Sequence, residues 1–175
     1  MTVANSVQYA ADAPYPGRLG LGQEQDDRDA EEILSRARER AEELDLAFSG
    51  SVTPTEAWDL FNRGAAVIVD VRSSEERKFV GHVPETLHVA WATGTSLNRN
   101  PRFVRELEAR TGKEQVVLLL CRSGKRSALA AETAAKAGFN KVFNVLEGFE
   151  GDLNERQQRG EHNGWRHWGL PWVQD

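Results

Sequence analysis

The sequence predicts an α/β fold with a central parallel sheet and helices on both faces. Two continuous apolar runs of strand length, 65–72 and 114–121, lack polar alternation and therefore predict strands buried on both faces. Helical segments separate the predicted strands along the chain, as a parallel sheet requires. The second run ends at Cys121, so a loop is expected at the C-terminal end of a strand, where ligands bind in such sheets.

The remaining elements are predicted from the spacing of apolar residues and from residues that typically start or end helices. Residues 51–64 predict a short helix in which Thr53 is the cap, Pro54 lies in the first turn and Glu56 completes a capping box. The other predicted elements are a strand over 86–91, helices over 100–112 and 126–138, and a strand over 141–145.

The N-terminal part is predicted to differ from the rest. Residues 1–25 are small, polar and rich in Gly and Pro, which predicts a flexible segment. Residues 26–48 predict an amphipathic helix with acidic residues at its start, where the helix dipole favours them. Its apolar stripe fits packing on the same domain, or docking and dimerisation, and the sequence leaves both open. Residues 50–175 are predicted to form a single domain.

Composition excludes several function classes. The chain of 175 residues carries a net charge of −5 and has no sustained Lys/Arg stripe, which argues against nucleic-acid binding. No apolar run approaches a membrane span, and the N-terminus does not read as a signal peptide, so a cytoplasmic location is expected. The single cysteine cannot form an intramolecular disulfide.

The stretch "CRSGKRS", residues 121–127, combines several features that favour a reactive thiol. A strand end, a glycine and a helix start follow one another, and the free N–H groups of a helix start attract anions. Nearby cations favour the thiolate form further. A lone cysteine is otherwise often buried and inert, but this combination predicts a nucleophile in an anion-binding loop. The cations are Arg122, Lys125 and Arg126.

The same stretch resembles the active-site loop of rhodanese-type sulfurtransferases. The segment "VDVRSSEERKFVGHVPETLHVAW" is similar to the upstream motif of that family, and "GFNKVFNVLEGFEG" to its strand and turn after the active-site helix. "NGWRHWGLPW" is similar to its closing segment. The resemblance covers about residues 52 to 173 and implies a rhodanese-like fold for the domain.

The resemblance also implies a reaction. Cys121 would attack the outer sulfur of thiosulfate or a similar donor, release sulfite and carry a persulfide, which serves in place of a separate cofactor. An external acceptor such as cyanide, a thiol or a protein thiol would remove the sulfur, because the chain has no second cysteine. The implied substrate-binding residues are Arg122, Ser123, Gly124, Lys125, Arg126 and Ser127, with helix capping the preferred role of Ser127. Asp70, Arg72, Glu76 and His82 are implied to support the framework.

Two alternatives remain. Cysteine-dependent phosphatases place an arginine six residues after the cysteine, whereas here that position is Ser127 and Arg126 comes one residue earlier, which disfavours phosphatase or arsenate reductase activity. The other alternative is a non-catalytic rhodanese-like binding module that acts through its N-terminal helix. No metal is expected, because the four histidines lack a ligand motif.

Two features near the C-terminus complete the predictions. Residues 149–163 form an insertion relative to the family pattern, and a lid, an acceptor-recognition element and a solvated loop all fit it. Three tryptophans, Trp165, Trp168 and Trp172, are expected to pin the C-terminus to the domain.

Overall fold

The computed structural model describes residues 23–175. Its helices are α1 (Gln23–Glu43), α2 (Pro54–Asn62), α3 (Ser74–Val80), α4 (Phe103–Thr111) and α5 (Lys125–Lys136). Its strands are β1 (Gly50–Val52), β2 (Val67–Asp70), β3 (Leu87–His88), β4 (Ala92–Thr93), β5 (Asn98–Arg99), β6 (Val117–Leu120) and β7 (Val142–Val145). The flexible segment predicted for residues 1–25 lies outside the described residues, except that its last three residues belong to α1.

The main sheet confirms the predicted α/β fold. Its strand order is β1-β7-β6-β2-β3, and every neighbouring pair is parallel. Asp70 at the end of β2 is opposite Leu120 at the end of β6. The C-terminal ends of these two central strands therefore lie side by side, at one end of the sheet.

Alternate residues of the strands face two separate hydrophobic layers. In β6, Leu118 and Leu120 pack into the layer covered by α1 and α2, while Val117 and Leu119 pack into the layer covered by α4 and α5. All four side chains are fully buried. A strand covered on both faces has no polar side to expose, which explains the unbroken apolar runs in the sequence.

Helix α1 packs on the same sheet, which answers the question that its sequence left open. The apolar stripe of α1, represented by Ile33, Leu34 and Ala37, is buried in the first layer. A Cβ atom at Gly50 would overlap the backbone carbonyl of Ala37, so the glycine allows α1 and β1 to approach closely. The stripe is therefore core, and it is not exposed for docking.

The helix predicted over 26–48 ends earlier than expected. Asp45 adopts a left-handed conformation with φ 50°, and the N–H groups of Leu46 and Asp45 bond to the carbonyls of Ala41 and Glu42. This is a Schellman closure, in which glycine usually occupies the left-handed position. Because an aspartate occupies it here, the sequence did not mark the end of the helix, and the prediction to residue 48 was wrong.

Two short features were missed and one strand is shorter than predicted. Strand β1 has three residues, and the β4–β5 hairpin has two in each strand, so neither is long enough to show a period. The strand expected over 86–91 extends only over β3. Beyond it, the N–H groups of Val89 and Trp91 still bond to the carbonyls of Asp70 and Val71. Within the described residues, no helix is long and apolar enough to cross a membrane.

Candidate active site

The loop after β6 folds around the sulfur of Cys121. This residue directly follows β6 and is 1% exposed. Its Sγ accepts hydrogen bonds from the backbone N–H of Gly124 and the hydroxyl of Ser127, each at 3.1 Å. Gly124 caps the start of α5 in a left-handed conformation, so the thiol lies at the N-terminal end of a twelve-residue helix. That end carries partial positive charge, which favours a negatively charged sulfur.

A second segment, residues 146–151, packs against the backbone of this loop. The N–H of Phe149 donates to the carbonyl of Cys121 at 2.8 Å, and the N–H of Glu150 donates to the carbonyl of Arg122 at 2.9 Å. Gly148 has φ 67°, and a Cβ atom there would overlap the backbone of Arg122. The carbonyls of Cys121 and Arg122 are thus occupied by this segment, while the N–H of Gly124 donates to the sulfur.

Arg126 is already paired with Glu76. Its two terminal nitrogens donate to the two carboxylate oxygens at 2.8 and 2.6 Å, and both side chains are largely buried. Burial raises the pKa of Glu76, but hydrogen bonds from Arg126 and Ser73, together with the charge of Arg126, outweigh it and lower that pKa to about 2. The hydrogen bond to Glu76 in turn raises the pKa of Arg126. The pair joins α5 to the first turn of α3.

The other two cations of the loop are not committed in this way. Neither Arg122 nor Lys125 forms a side-chain hydrogen bond or ion pair with another described residue. Lys125 is exposed, whereas Arg122 is half-buried and its Nε is a buried donor with no partner in the part of the chain that the structure describes. Ser123 is half-buried as well. Positive charge is therefore available beside the thiol from these two side chains.

Asp70 and Arg72 form a fully buried ion pair at the neighbouring strand end. The Nη2 of Arg72 donates to Asp70 at 2.8 Å and to the carbonyl of Gly81 at 2.8 Å, and its guanidinium lies 4.2 Å from the centre of the Phe149 ring. Arg77 donates to Asp70 at 3.0 Å. These contacts join β2, α3 and the 146–151 segment.

His82 contributes through its backbone. Its N–H and carbonyl exchange hydrogen bonds with Val173 at 2.8 and 2.9 Å, so an isolated antiparallel bridge attaches the C-terminal segment beside α3. Among the described residues, its ring makes no hydrogen bond. Of the predicted support residues, Glu76 contacts the loop through Arg126, Asp70 and Arg72 lie at the adjacent strand end, and His82 follows Gly81, whose carbonyl accepts from Arg72.

The preferred role of Ser127 as a helix cap was wrong. Helix α5 begins at Lys125 with Gly124 as its cap, so Ser127 lies inside the first turn and is fully buried. Its hydroxyl contacts Cys121, and it also donates to Oδ1 of Asn144 at 2.6 Å. Sequence reasoning missed Asn144 altogether. The available signal was an asparagine in the middle of the otherwise apolar strand β7, since a buried polar side chain needs a partner.

The insertion at 149–163 begins at the active-site loop. The N–H of Gly151 donates to the carbonyl of Arg122 at 3.3 Å, and the side chains of Asp152 and Asn163 close the base of the insertion at 2.9 Å. Within it, the side-chain oxygen of Asn154 accepts from two backbone N–H groups, and its amide donates to Glu161. Most of its side chains are exposed. The insertion therefore begins beside the active-site loop, and its role stays a prediction.

The tryptophans of the C-terminal segment differ in burial. Trp165 is fully buried, donates to the carbonyl of Pro171 at 2.9 Å and packs edge-on against Trp58. Trp168 is 50% exposed and donates to Glu147 at 2.6 Å, and Trp172 packs edge-on against Phe149. Trp165 anchors the C-terminus as expected, while Trp168 stays at the surface.

Comparison with known proteins identifies the family. Residues 53–155 match the family model described as "Rhodanese-like domain". The chain belongs to the rhodanese-like family. Helix α1 and the C-terminal segment lie outside the match, although Ile33 and Trp165 from these parts contribute to the domain's core.

Individual relatives agree with this assignment. The crystal structure of Rv0390 from M. tuberculosis is similar at 43% sequence identity, covers 73% of this chain and 99% of that chain, and has a TM-score of 0.66. The rhodanese-like domain of the Anabaena sp. Alr3790 protein, at 15% identity and a TM-score of 0.52, covers 71% of this chain and 79% of that chain and is alike in fold. The uncharacterized protein RP600 of Rickettsia prowazekii (strain Madrid E) is 32% identical over 127 residues, which is 70% of this chain and 95% of that protein.

Proposed function

We propose that this rhodanese-like protein is a sulfurtransferase that moves a sulfane sulfur from thiosulfate, or a similar anionic donor, to a thiophilic acceptor. One observation carries the proposal: the Sγ of Cys121 lies at a helix start, accepts a hydrogen bond from the N–H of Gly124 and lies 3.1 Å from the hydroxyl of Ser127. The arrangement stabilises negative charge on sulfur and suits a nucleophile.

The proposed cycle has two steps. The thiolate of Cys121 attacks the outer sulfur of thiosulfate, the S–S bond of the donor breaks, and sulfite leaves with the bonding electrons. An acceptor such as cyanide, a small thiol or a protein thiol then attacks the outer sulfur of the persulfide, and the Cys121 thiolate is the leaving group. The sulfur is carried covalently, so the cycle needs no bound cofactor or metal.

The loop residues have distinct parts in this proposal. As the family resemblance implies, the loop N–H groups from Arg122 to Arg126 would hold the persulfide, and the N–H of Gly124 already donates to the sulfur. The side chains of Arg122 and Lys125, which have no partner among the described residues, attract the anionic donor and stabilise the departing sulfite. Because Arg126 is committed to Glu76, its main part is to hold the loop against α3. The sequence has one cysteine, so the acceptor is external, and we propose a thiol-rich, cytoplasmic setting for the reaction.

Intact mass spectrometry tests the proposal. The protein is incubated with thiosulfate, desalted and weighed, and we expect a gain of one sulfur atom that cyanide removes. The Cys121→Ser variant is the control and gains nothing. A folded protein that gains no sulfur from thiosulfate or from other sulfane donors would contradict the proposal, and turnover of an aryl phosphate would favour the phosphatase alternative.

A further inference from the structure

Two acceptors, the Sγ of Cys121 and the Oδ1 of Asn144, compete for the hydroxyl proton of Ser127. Ser127 is fully buried and Asn144 is 4% exposed. The hydroxyl of Ser127 lies 3.1 Å from the Sγ of Cys121 and 2.6 Å from the Oδ1 of Asn144. A serine hydroxyl has one hydrogen, so it donates to only one of these two acceptors at a time.

The orientation of Asn144 determines which of its atoms faces Ser127. Its Nδ2 donates to the backbone carbonyl of Gly124 at 3.2 Å, so its Oδ1, which is an acceptor only, is directed at the hydroxyl. The reverse orientation would place the amide oxygen against the carbonyl oxygen of Gly124. The asparagine therefore offers Ser127 a fixed acceptor that no ionisation can remove.

The thiol form of Cys121 satisfies every group in this cluster. The S–H donates to the oxygen of Ser127, and Ser127 donates to Asn144. The thiolate form has no hydrogen to donate and attracts the proton of Ser127 instead. When the hydroxyl turns to the sulfur, the Oδ1 of Asn144 loses its donor, and a buried acceptor without a partner is costly.

We propose that Asn144 is a positioning residue that acts through Ser127 to set the balance between the thiol and thiolate forms of Cys121. On ionisation the thiol proton passes to a solvent base, and Ser127 keeps its own proton and only reorients. The consequence for catalysis rests on the proposed function. When the persulfide forms, the charge moves to the outer sulfur, the inner sulfur becomes a weak acceptor, and Ser127 returns to Asn144. The asparagine thus favours the loaded enzyme over the free thiolate.

Charged groups around the loop also act on Cys121, and the test leaves all of them in place. They come from every element that packs around the loop. Those groups are Arg122 in the loop, Lys125 and Arg126 in α5, Glu76 and Arg77 in α3, Asp70 and Arg72 after β2, and Glu147 and Glu150 in the 146–151 segment.

The rate of alkylation of Cys121 by iodoacetamide as a function of pH tests the proposal, because only the thiolate reacts. Ser127→Ala removes the donor, and we expect the midpoint of the profile to rise by about one pH unit, which is about tenfold less thiolate below both midpoints. Asn144→Leu removes the competing acceptor, and we expect the midpoint to fall. The carbonyl of Gly124 still accepts from the N–H of Ala128 in that variant.

The double variant separates the relay from a general effect on structure. In the Ser127→Ala background, Asn144→Leu should no longer move the midpoint, because the asparagine acts through the hydroxyl. Valine is smaller than leucine and suits a β-strand, so Asn144→Val repeats the test if leucine does not fit at this position. An unchanged midpoint in Ser127→Ala, a rise in Asn144→Leu, or an asparagine effect that persists without Ser127 would each overturn the proposal. The assay needs only the thiol, so it remains decisive even if thiosulfate proves not to be a donor.

Discussion

The cations of the active-site loop are close in sequence but differ in what they contact. Arg126 forms a bidentate pair with Glu76, while Arg122 and Lys125 make no side-chain contact of this kind with the described residues. The carboxylate of an ion pair largely neutralises the positive charge of its guanidinium, whereas an unpaired guanidinium still attracts anions. Two of the three loop cations, Arg122 and Lys125, therefore keep a positive charge that can attract the anionic sulfur donor.

Neutralising the unpaired cations should weaken donor capture. In the Arg122→Gln, Lys125→Gln double variant we expect the second-order rate of persulfide formation from thiosulfate to fall about tenfold, as two partly solvated charge contacts are lost. The effect should shrink as ionic strength rises. The Lys136→Gln, Lys141→Gln double variant, which removes two positive charges at the end of α5 and before the start of β7, far from the loop, is the control. An equal loss in this control would show that only net charge matters.

The ion pair of Glu76 gives the protein an acid-sensitive element. The folded state lowers the pKa of this carboxyl from 4.5 to about 2, so the unfolded chain binds the proton more tightly. Its stabilisation is complete above about pH 4.5 and is lost as the pH falls towards 2. We expect Glu76→Gln to lower the free energy of unfolding at pH 7 by about 2–3 kcal/mol and to flatten its decline between pH 4.5 and 2.

Urea unfolding at several pH values measures this effect. Glu75→Gln removes the same charge from the first turn of α3 without touching Arg126, and serves as the matched control. Equal pH dependence in the Glu76 variant and in the unmodified protein would contradict the assignment.

At the scale of elements, the 146–151 segment is part of the active site although it carries no reacting group. Its N–H groups bind the carbonyls of Cys121 and Arg122, and Gly148 lies directly against the loop backbone. The segment determines which way the peptide groups of the loop point. A change in its backbone should therefore affect chemistry more than an equal change elsewhere.

Two glycines of equal crowding test this distinction. Alanine at Gly148 would overlap the backbone of Arg122, and alanine at Gly50 would overlap that of Ala37, at the other end of the sheet. We expect Gly50→Ala to lower the free energy of unfolding by about 1–3 kcal/mol, and Gly148→Ala to lower it by about 1–2 kcal/mol more, because alanine is also strained at φ 67°. Only Gly148→Ala should also slow persulfide formation in the protein that remains folded. Chemical denaturation and the mass assay measure the two quantities, and equal rates in both variants would contradict the role of the segment.

At the scale of the whole molecule, the insertion adds a surface next to the active site. It leaves the domain at Gly151, whose N–H bonds to the loop, and it is closed at its base by Asp152 and Asn163. We propose that the insertion selects acceptors, because it begins beside the active-site loop, whereas thiosulfate is small and needs no such surface.

Shortening the insertion should change acceptor preference more than sulfur loading. Residues 153–161 are replaced by a short Gly-Ser linker, which keeps the Asp152–Asn163 base. We expect an unchanged rate of loading from thiosulfate and altered relative rates of discharge to cyanide, glutathione and a protein dithiol. Identical discharge rates with every acceptor would rule this role out.

The sequence by itself determined the parallel sheet, the helices on its two faces and the place of Cys121. Unbroken apolar runs such as 114–121 report burial on both faces, and the strand–glycine–helix order at Cys121 is local. The end of α1 at Asp45 and the strand β1 were not predictable in this way, because one depends on an unusual left-handed residue and the other on a neighbouring strand.

Only the tertiary structure decided which loop residues pair with other side chains of the protein and which stay available to a ligand. Arg126 and Glu76 are 50 residues apart, and Ser127 and Asn144 are 17 apart. Pairing over such distances depends on which helix covers which strand, and no local pattern encodes it. For the same reason, only the fold shows that Arg126 is paired, that Arg122 and Lys125 have no partner among the described residues, and that the Ser127 hydroxyl lies between the sulfur and a buried amide.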